Sequence, residues 1–96
     1  MVLEHVLLQV RVGEEAAFEA AMKTARPLIA ASPGFRGIEV RPAIESPGLY
    51  LLLVRWNSVA DHRDGFRLSD RYQQWREALH RYYEPMPDVG YFGDPL

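Results

Sequence analysis

Ninety-six residues, 48% of them hydrophobic and 25% charged, are enough for one soluble domain and too few for two cores. A net charge of -2 supplies no broad basic field, which argues against nucleic acid as a partner; the absence of cysteine excludes disulfides, thiolate nucleophiles and cysteine-based metal sites. No leader-like segment and no apolar run of about 18 residues is visible, so the expected location is the cytoplasm, with no membrane partner.

Val2 to Val12 alternates, with Val2, Val6, Leu8, Val10 and Val12 on one side together with Glu4, and Leu3, His5, Leu7, Gln9 and Arg11 on the other. That is a first strand. Gly13 punctuates, and Glu14 and Glu15 place negative charge where a helix dipole favours it. Phe18, Ala21, Met22, Ala25, Leu28 and Ile29 then recur at helical spacing, with a kink or local break expected at Pro27, which lacks a backbone donor. Ser32, Pro33 and Gly34 stop that helix.

A second strand is expected from Phe35 to about Ala43, with Ile38 and Val40 on one face and Phe35, Gly37, Glu39 and Arg41 on the other. Ile44 to Gly48 reads as a hairpin connection into Leu49 to Val54, an apolar run too short for a typical helix and hydrophobic on both faces. This is the central strand, antiparallel to its predecessor. Ser58, with Asp61 three residues later, is a capping-box arrangement opening a short helix from Val59 to about Arg67 that carries His62 and Phe66. Ser69 caps a further helix from Asp70 to Tyr83, with Tyr72, Trp75, Arg76, Leu79 and Tyr82 or Tyr83 on one side. Val89, Tyr91 and Phe92 suit a last short strand.

The order is that of an α+β, ferredoxin-like βαββαβ domain with an antiparallel sheet whose helices cover one face. Leu49, Leu51 and Leu53 with Leu3, His5 and Leu7 would form an uncovered apolar patch on the other. A second copy is the expected cover, giving a homodimer through the sheet face.

The residues so assembled resemble the antibiotic biosynthesis monooxygenase superfamily of dimeric α/β barrels. The carriers are the SPGF turn at Ser32 to Phe35, the WNSVADHRDGF segment at Trp56 to Phe66, and the Arg-Tyr-x-x-Trp-Arg pattern at Arg71 to Arg76. The resemblance spans nearly the whole chain and is more specific for fold than for chemistry. It implies that Trp56 corresponds to the tryptophan following the third strand of the quinone-forming members, and Arg76 to an arginine of their last helix. His62 replaces their tyrosine, and Leu52 replaces their third-strand asparagine. The positions used by the haem-degrading branch fall on Gly65 and Trp75, which disfavours that activity.

Two functions are carried forward. In the first, a cofactor-independent monooxygenase uses molecular oxygen to oxidise a phenolic or polycyclic aromatic compound to a quinone-type product. His62 would act as base and Arg76 as oxyanion stabiliser, the two catalytic residues. Trp56, Phe66, Tyr72 and Trp75 would bind the ring, and the substrate would be its own reductant, with no cofactor. In the second, a dimeric small-molecule-binding or stress-related protein of the same fold performs no turnover, a reading favoured by Leu52. His5, His62 and His80 lack close ligand spacing, so no metal is expected. Neither a Ser-His-Asp signature nor a glycine-rich phosphate loop is present.

Overall fold

The computed structural model describes all 96 residues. Its elements are β1 (Val2–Gln9), α1 (Glu15–Ala30), β2 (Phe35–Pro42), β3 (Leu49–Trp56), a π-helical turn (Asp61–Gly65) passing into a 3-10 turn (Phe66–Leu68), α2 (Asp70–Leu79), a 3-10 turn (His80–Tyr82) and β4 (Val89–Phe92). The strands form one antiparallel sheet in the order β2-β3-β1-β4. This is the ferredoxin-like arrangement that the pattern of apolar residues predicts.

Strand β3 organises the core because both its faces are apolar. Tyr50, Leu52, Val54 and Trp56 point to the helices and are buried. There they meet Phe18, Met22, Ala25 and Ile29 of α1 and Trp75 and Leu79 of α2. Leu49, Leu51 and Leu53 face away and are only half-buried. In register beside them lie Leu7, opposite Leu51, and His5, opposite Leu53. Leu7 is 49% and Phe92 55% exposed, so the chain itself leaves much of this greasy face uncovered.

Helix α1 runs through Pro27 to Ala30 without the expected break. Pro27 lies on the exposed side, where water can satisfy the carbonyl it leaves without a donor, and Ala31 N–H still donates to its own carbonyl at 3.1 Å. A second departure concerns Phe35. A bulge between Phe35 and Gly37 sets Phe35 opposite Trp56 and Gly37 opposite Arg55, an extra residue on β2 that reverses the side on which Phe35 emerges. Phe35 therefore packs against the core beside Ile38 and Val40, edge-on to Trp56 with ring centroids 5.9 Å apart.

The turn that follows β3 is anchored as its sequence suggests. Asp61 N–H donates to Ser58 Oγ at 3.2 Å, and the Ser58 hydroxyl donates back to the Asp61 carboxylate at 3.0 Å. Gly34 has a φ of +83° and faces that carboxylate so closely that a Cβ would collide with it, while its carbonyl accepts from Asn57 N–H at 2.8 Å. Glycine is required there by both conformation and space. Beyond the cap the chain adopts a π-helical and then a 3-10 turn rather than a regular helix. Helix α2 begins at the Ser69 cap, whose Oγ accepts from Tyr72 N–H at 3.3 Å. It ends at Leu79, earlier than periodicity suggests, because the next residues are claimed by the end of β1. Arg11 N–H donates to the Tyr82 carbonyl and Glu84 N–H to the Gln9 carbonyl.

Candidate functional site

Between the helix-covered face of the sheet and α2 lies a cavity of about 470 Å3, within the range that holds a drug-sized ligand. Strand β1 supplies Glu4, Val6 and Leu8 to its wall, and β3 supplies Leu52. The turn after β3 adds His62, Phe66 and Arg67, and α2 adds Tyr72 and Trp75. Ile29 of α1, His80, Tyr83 and the Met86–Val89 segment complete it.

Four residues named from sequence, His62, Phe66, Tyr72 and Trp75, thus share this cavity. Trp56 does not reach it. It is fully buried and lies beneath His62, with the two ring centroids 5.3 Å apart. Arg76 is exposed on α2 and is absent from the wall. Trp75 and Leu79, four residues apart, point inward, and Arg76 follows Trp75 by about 100° around the helix axis. The cation at the cavity is Arg67 instead. Its guanidinium stands 5.6 Å from the Tyr72 ring centroid, and it has no carboxylate partner among the ion pairs of the chain.

Glu4 is the residue that sequence reasoning passed over. It is the one acidic side chain on the inward face of β1, and it is only 4% exposed. A buried carboxylate needs a donor. Trp56 Nε1–H provides it, donating to Oε1 at 2.9 Å. The same oxygen lies 3.5 Å from His62 Nε2, and on the other side of that ring Nδ1 is 2.6 Å from the Tyr91 hydroxyl. The signal available in the sequence was the charge itself, placed among Val2, Val6 and Leu8 where every neighbour is apolar.

Burial decides the protonation states. It pushes the Glu4 carboxyl up to about 7, against the Trp56 N–H and the charge of Arg67, which pull it down. It pushes His62 down to about 4, with Arg67 adding to the effect. The imidazole is therefore neutral at pH 7 and a weak base, whereas Glu4 is poised near neutrality, where a general base works best. Tyr91 is raised, by burial first and then by Glu4. His80 is lowered by burial and by Arg76 and Arg67. No three side chains of the His, Asp or Glu type converge as metal ligands, and no helix is long and apolar enough to cross a membrane.

This cavity can hold a flat apolar ring against Phe66, Tyr72 and Trp75, present a carboxylate to an acidic proton of that ring, and offer a guanidinium to negative charge. Comparison with known proteins gives the family and the fold. Residues 1–78 match the family model described as antibiotic biosynthesis monooxygenase. The chain is 40% identical over 94 residues to YczJ of Bacillus subtilis (strain 168), an uncharacterized protein, covering 98% of this chain and 99% of that one. A Bordetella bronchiseptica protein bearing the same family name is 34% identical, with a TM-score of 0.94 over 99% of this chain and 97% of its own. SnoaB of Streptomyces nogalater, a cofactor-independent oxygenase, shares the fold, with a TM-score of 0.85 at 18% identity over 99% and 93% of the two chains.

Proposed function

This chain belongs to the antibiotic biosynthesis monooxygenase family, and from that premise we propose that it is a cofactor-independent monooxygenase oxidising a phenolic or polycyclic aromatic small molecule to a quinone-type product. The observation that carries the reading is Glu4, a buried carboxylate titrating near neutrality in the wall of an aromatic-lined cavity. The fold shared with the oxygenase SnoaB supports it.

For an anthrone-like substrate, Glu4 takes the acidic C–H proton and leaves a delocalised carbanion, whose oxyanion form Arg67 stabilises. The carbanion gives electrons to molecular oxygen, and a carbon–oxygen bond forms to give a peroxide. Loss of the second hydrogen from that carbon and cleavage of the O–O bond yield the carbonyl and one water. The substrate is oxidised and oxygen reduced, so no external reductant enters the balance. Phe66, Tyr72 and Trp75 orient the ring, and Trp56 acts through Glu4 and His62 without touching it. Two copies pair through the Leu49, Leu51 and Leu53 face, leaving the cavity on the opposite side of each sheet.

A specific observation favours the second reading, a binding protein without turnover. Leu52 lines the cavity and offers no hydrogen bond to a peroxide. Oxygen uptake with a panel of anthrones and hydroquinones distinguishes the two. Consumption that the Glu4→Gln variant abolishes supports the oxygenase. Tight binding of the same compounds without any consumption supports the binding protein.

A further inference from the structure

We infer that His62 and Tyr91 form a proton exit from the cavity, carrying a proton received by Glu4 to the surface through a change of imidazole tautomer. The inference rests on the oxygenase reading only for the source of that proton.

The geometry is that of a chain with two distinct ends. Glu4 lines the cavity, whereas Tyr91 does not. The two residues are register partners across β1 and β4, so their side chains rise from the same face of the sheet. His62, delivered by the π-helical turn, lies between them with Nε2 toward Glu4 and Nδ1 toward Tyr91. Strand β4 is the last of the sheet, and Tyr91 is half-buried there. The other polar partner of Glu4, the Trp56 N–H, is only a donor and accepts no proton.

Each state of Glu4 matches one tautomer of His62. When Glu4 is ionised, Nε2–H points at the carboxylate and Nδ1 accepts from the Tyr91 hydroxyl. When Glu4 is protonated, it must close the 3.5 Å gap to Nε2 for its O–H to donate there, while Nδ1–H donates to the Tyr91 oxygen, whose own hydrogen turns to water. Passing from the second state to the first moves the carboxyl proton to Nε2, the Nδ1 proton to Tyr91 and the Tyr91 proton to solvent. One proton leaves, Glu4 regains its negative charge, and neither His62 nor Tyr91 ends charged. The imidazole gives as it receives, which suits a ring that burial holds neutral. The charged groups around the trio are Arg67 beside Glu4 and His62, and Arg63 and Asp64 near Tyr91. His80 from the end of α2 and Asp88 from the segment before β4 line the same cavity, and β3 contributes the neutral Trp56.

The test is 15N NMR of His62 from pH 5 to 9 in the full-length protein, with the Glu4 carboxyl followed by 13C. The expected result is a switch from Nδ1–H to Nε2–H as pH rises, with the same midpoint as Glu4. Tyr91→Phe removes only a hydroxyl and is expected to abolish the switch, leaving Nε2–H throughout while amide dispersion shows the fold intact. One fixed tautomer in the unsubstituted protein, or an unchanged switch in Tyr91→Phe, overturns the relay. No substrate is needed. Failure to consume oxygen with the switch intact therefore contradicts the oxygenase alone, and a fixed tautomer in an active protein contradicts the relay alone.

Discussion

The indole nitrogen of Trp56 donates to Oε1 of Glu4 at 2.9 Å across 52 residues of sequence, fastening the end of β3 to the start of β1 inside the core. The bond holds the carboxylate in place and partly offsets the cost of burying it. Trp56→Phe keeps an aromatic ring but removes the donor and leaves a void. Its expected cost is about 2–4 kcal/mol in urea unfolding at pH 7. The Glu4 titration, followed by 13C NMR, moves upward because a group that lowers it has gone.

The pH dependence of stability has two opposed components. Glu4 titrates at about 7 in the folded chain and 4.5 as its ordinary value, so the folded state holds the extra proton and stability falls as pH rises from 4.5 to 7. His62 titrates at about 4 against an ordinary 6.5, so the unfolded state holds the extra proton and stability rises as pH climbs from 4 to 6.5. Across the shared window the unsubstituted protein is expected to give a nearly flat profile. Glu4→Gln unmasks the rising limb and His62→Gln the falling one, each with a slope approaching about 1.4 kcal/mol per pH unit. Urea midpoints collected from pH 4 to 7.5 check this.

Arg67 lines the cavity and Arg76 does not. Arg67→Gln is expected to weaken an anionic aromatic probe such as 8-anilinonaphthalene-1-sulfonate about 5- to 20-fold, while a neutral naphthalene binds nearly as before. Arg76→Gln leaves both unchanged. Quenching of tryptophan fluorescence reads all four cases, with Trp75 in the cavity wall as reporter.

The bare face of the sheet predicts association. Leu51 sits opposite Leu7 in the register at the middle of the apolar patch. Sedimentation equilibrium is expected to give a dimer for the unsubstituted chain. Leu51→Glu puts charge at the centre of the interface and is expected to raise the dissociation constant at least 100-fold, toward a folded monomer.

The fold was legible because its signals are local. Alternation in Val2 to Val10, the two-sided greasiness of Leu49 to Val54, and the caps at Ser58 and Ser69 each specify an element without help from the rest. The site was legible only in part. His62 and Phe66 follow from spacing after a cap, but a helical wheel groups Arg76 with Tyr72 and Trp75 without saying which edge of that arc meets the sheet. The role of Tyr91 depends on β4 pairing with β1 so that Glu4 and Tyr91 become partners, a long-range register that no nearby residue encodes. Phe35 was misplaced for a related reason, since one bulged residue reverses a face and leaves the composition untouched. Glu4 was visible, but its chemistry arises from burial, which is a property of the packed core.

The most direct measurement is the pH profile of oxygen consumption with an anthrone substrate, for the unsubstituted protein and Glu4→Gln. The account predicts a rate that rises through a midpoint near 7 to a plateau, and a loss of about 100-fold or more in Glu4→Gln. An active Glu4→Gln enzyme with the same profile, or a midpoint near 4 where His62 titrates, would contradict it.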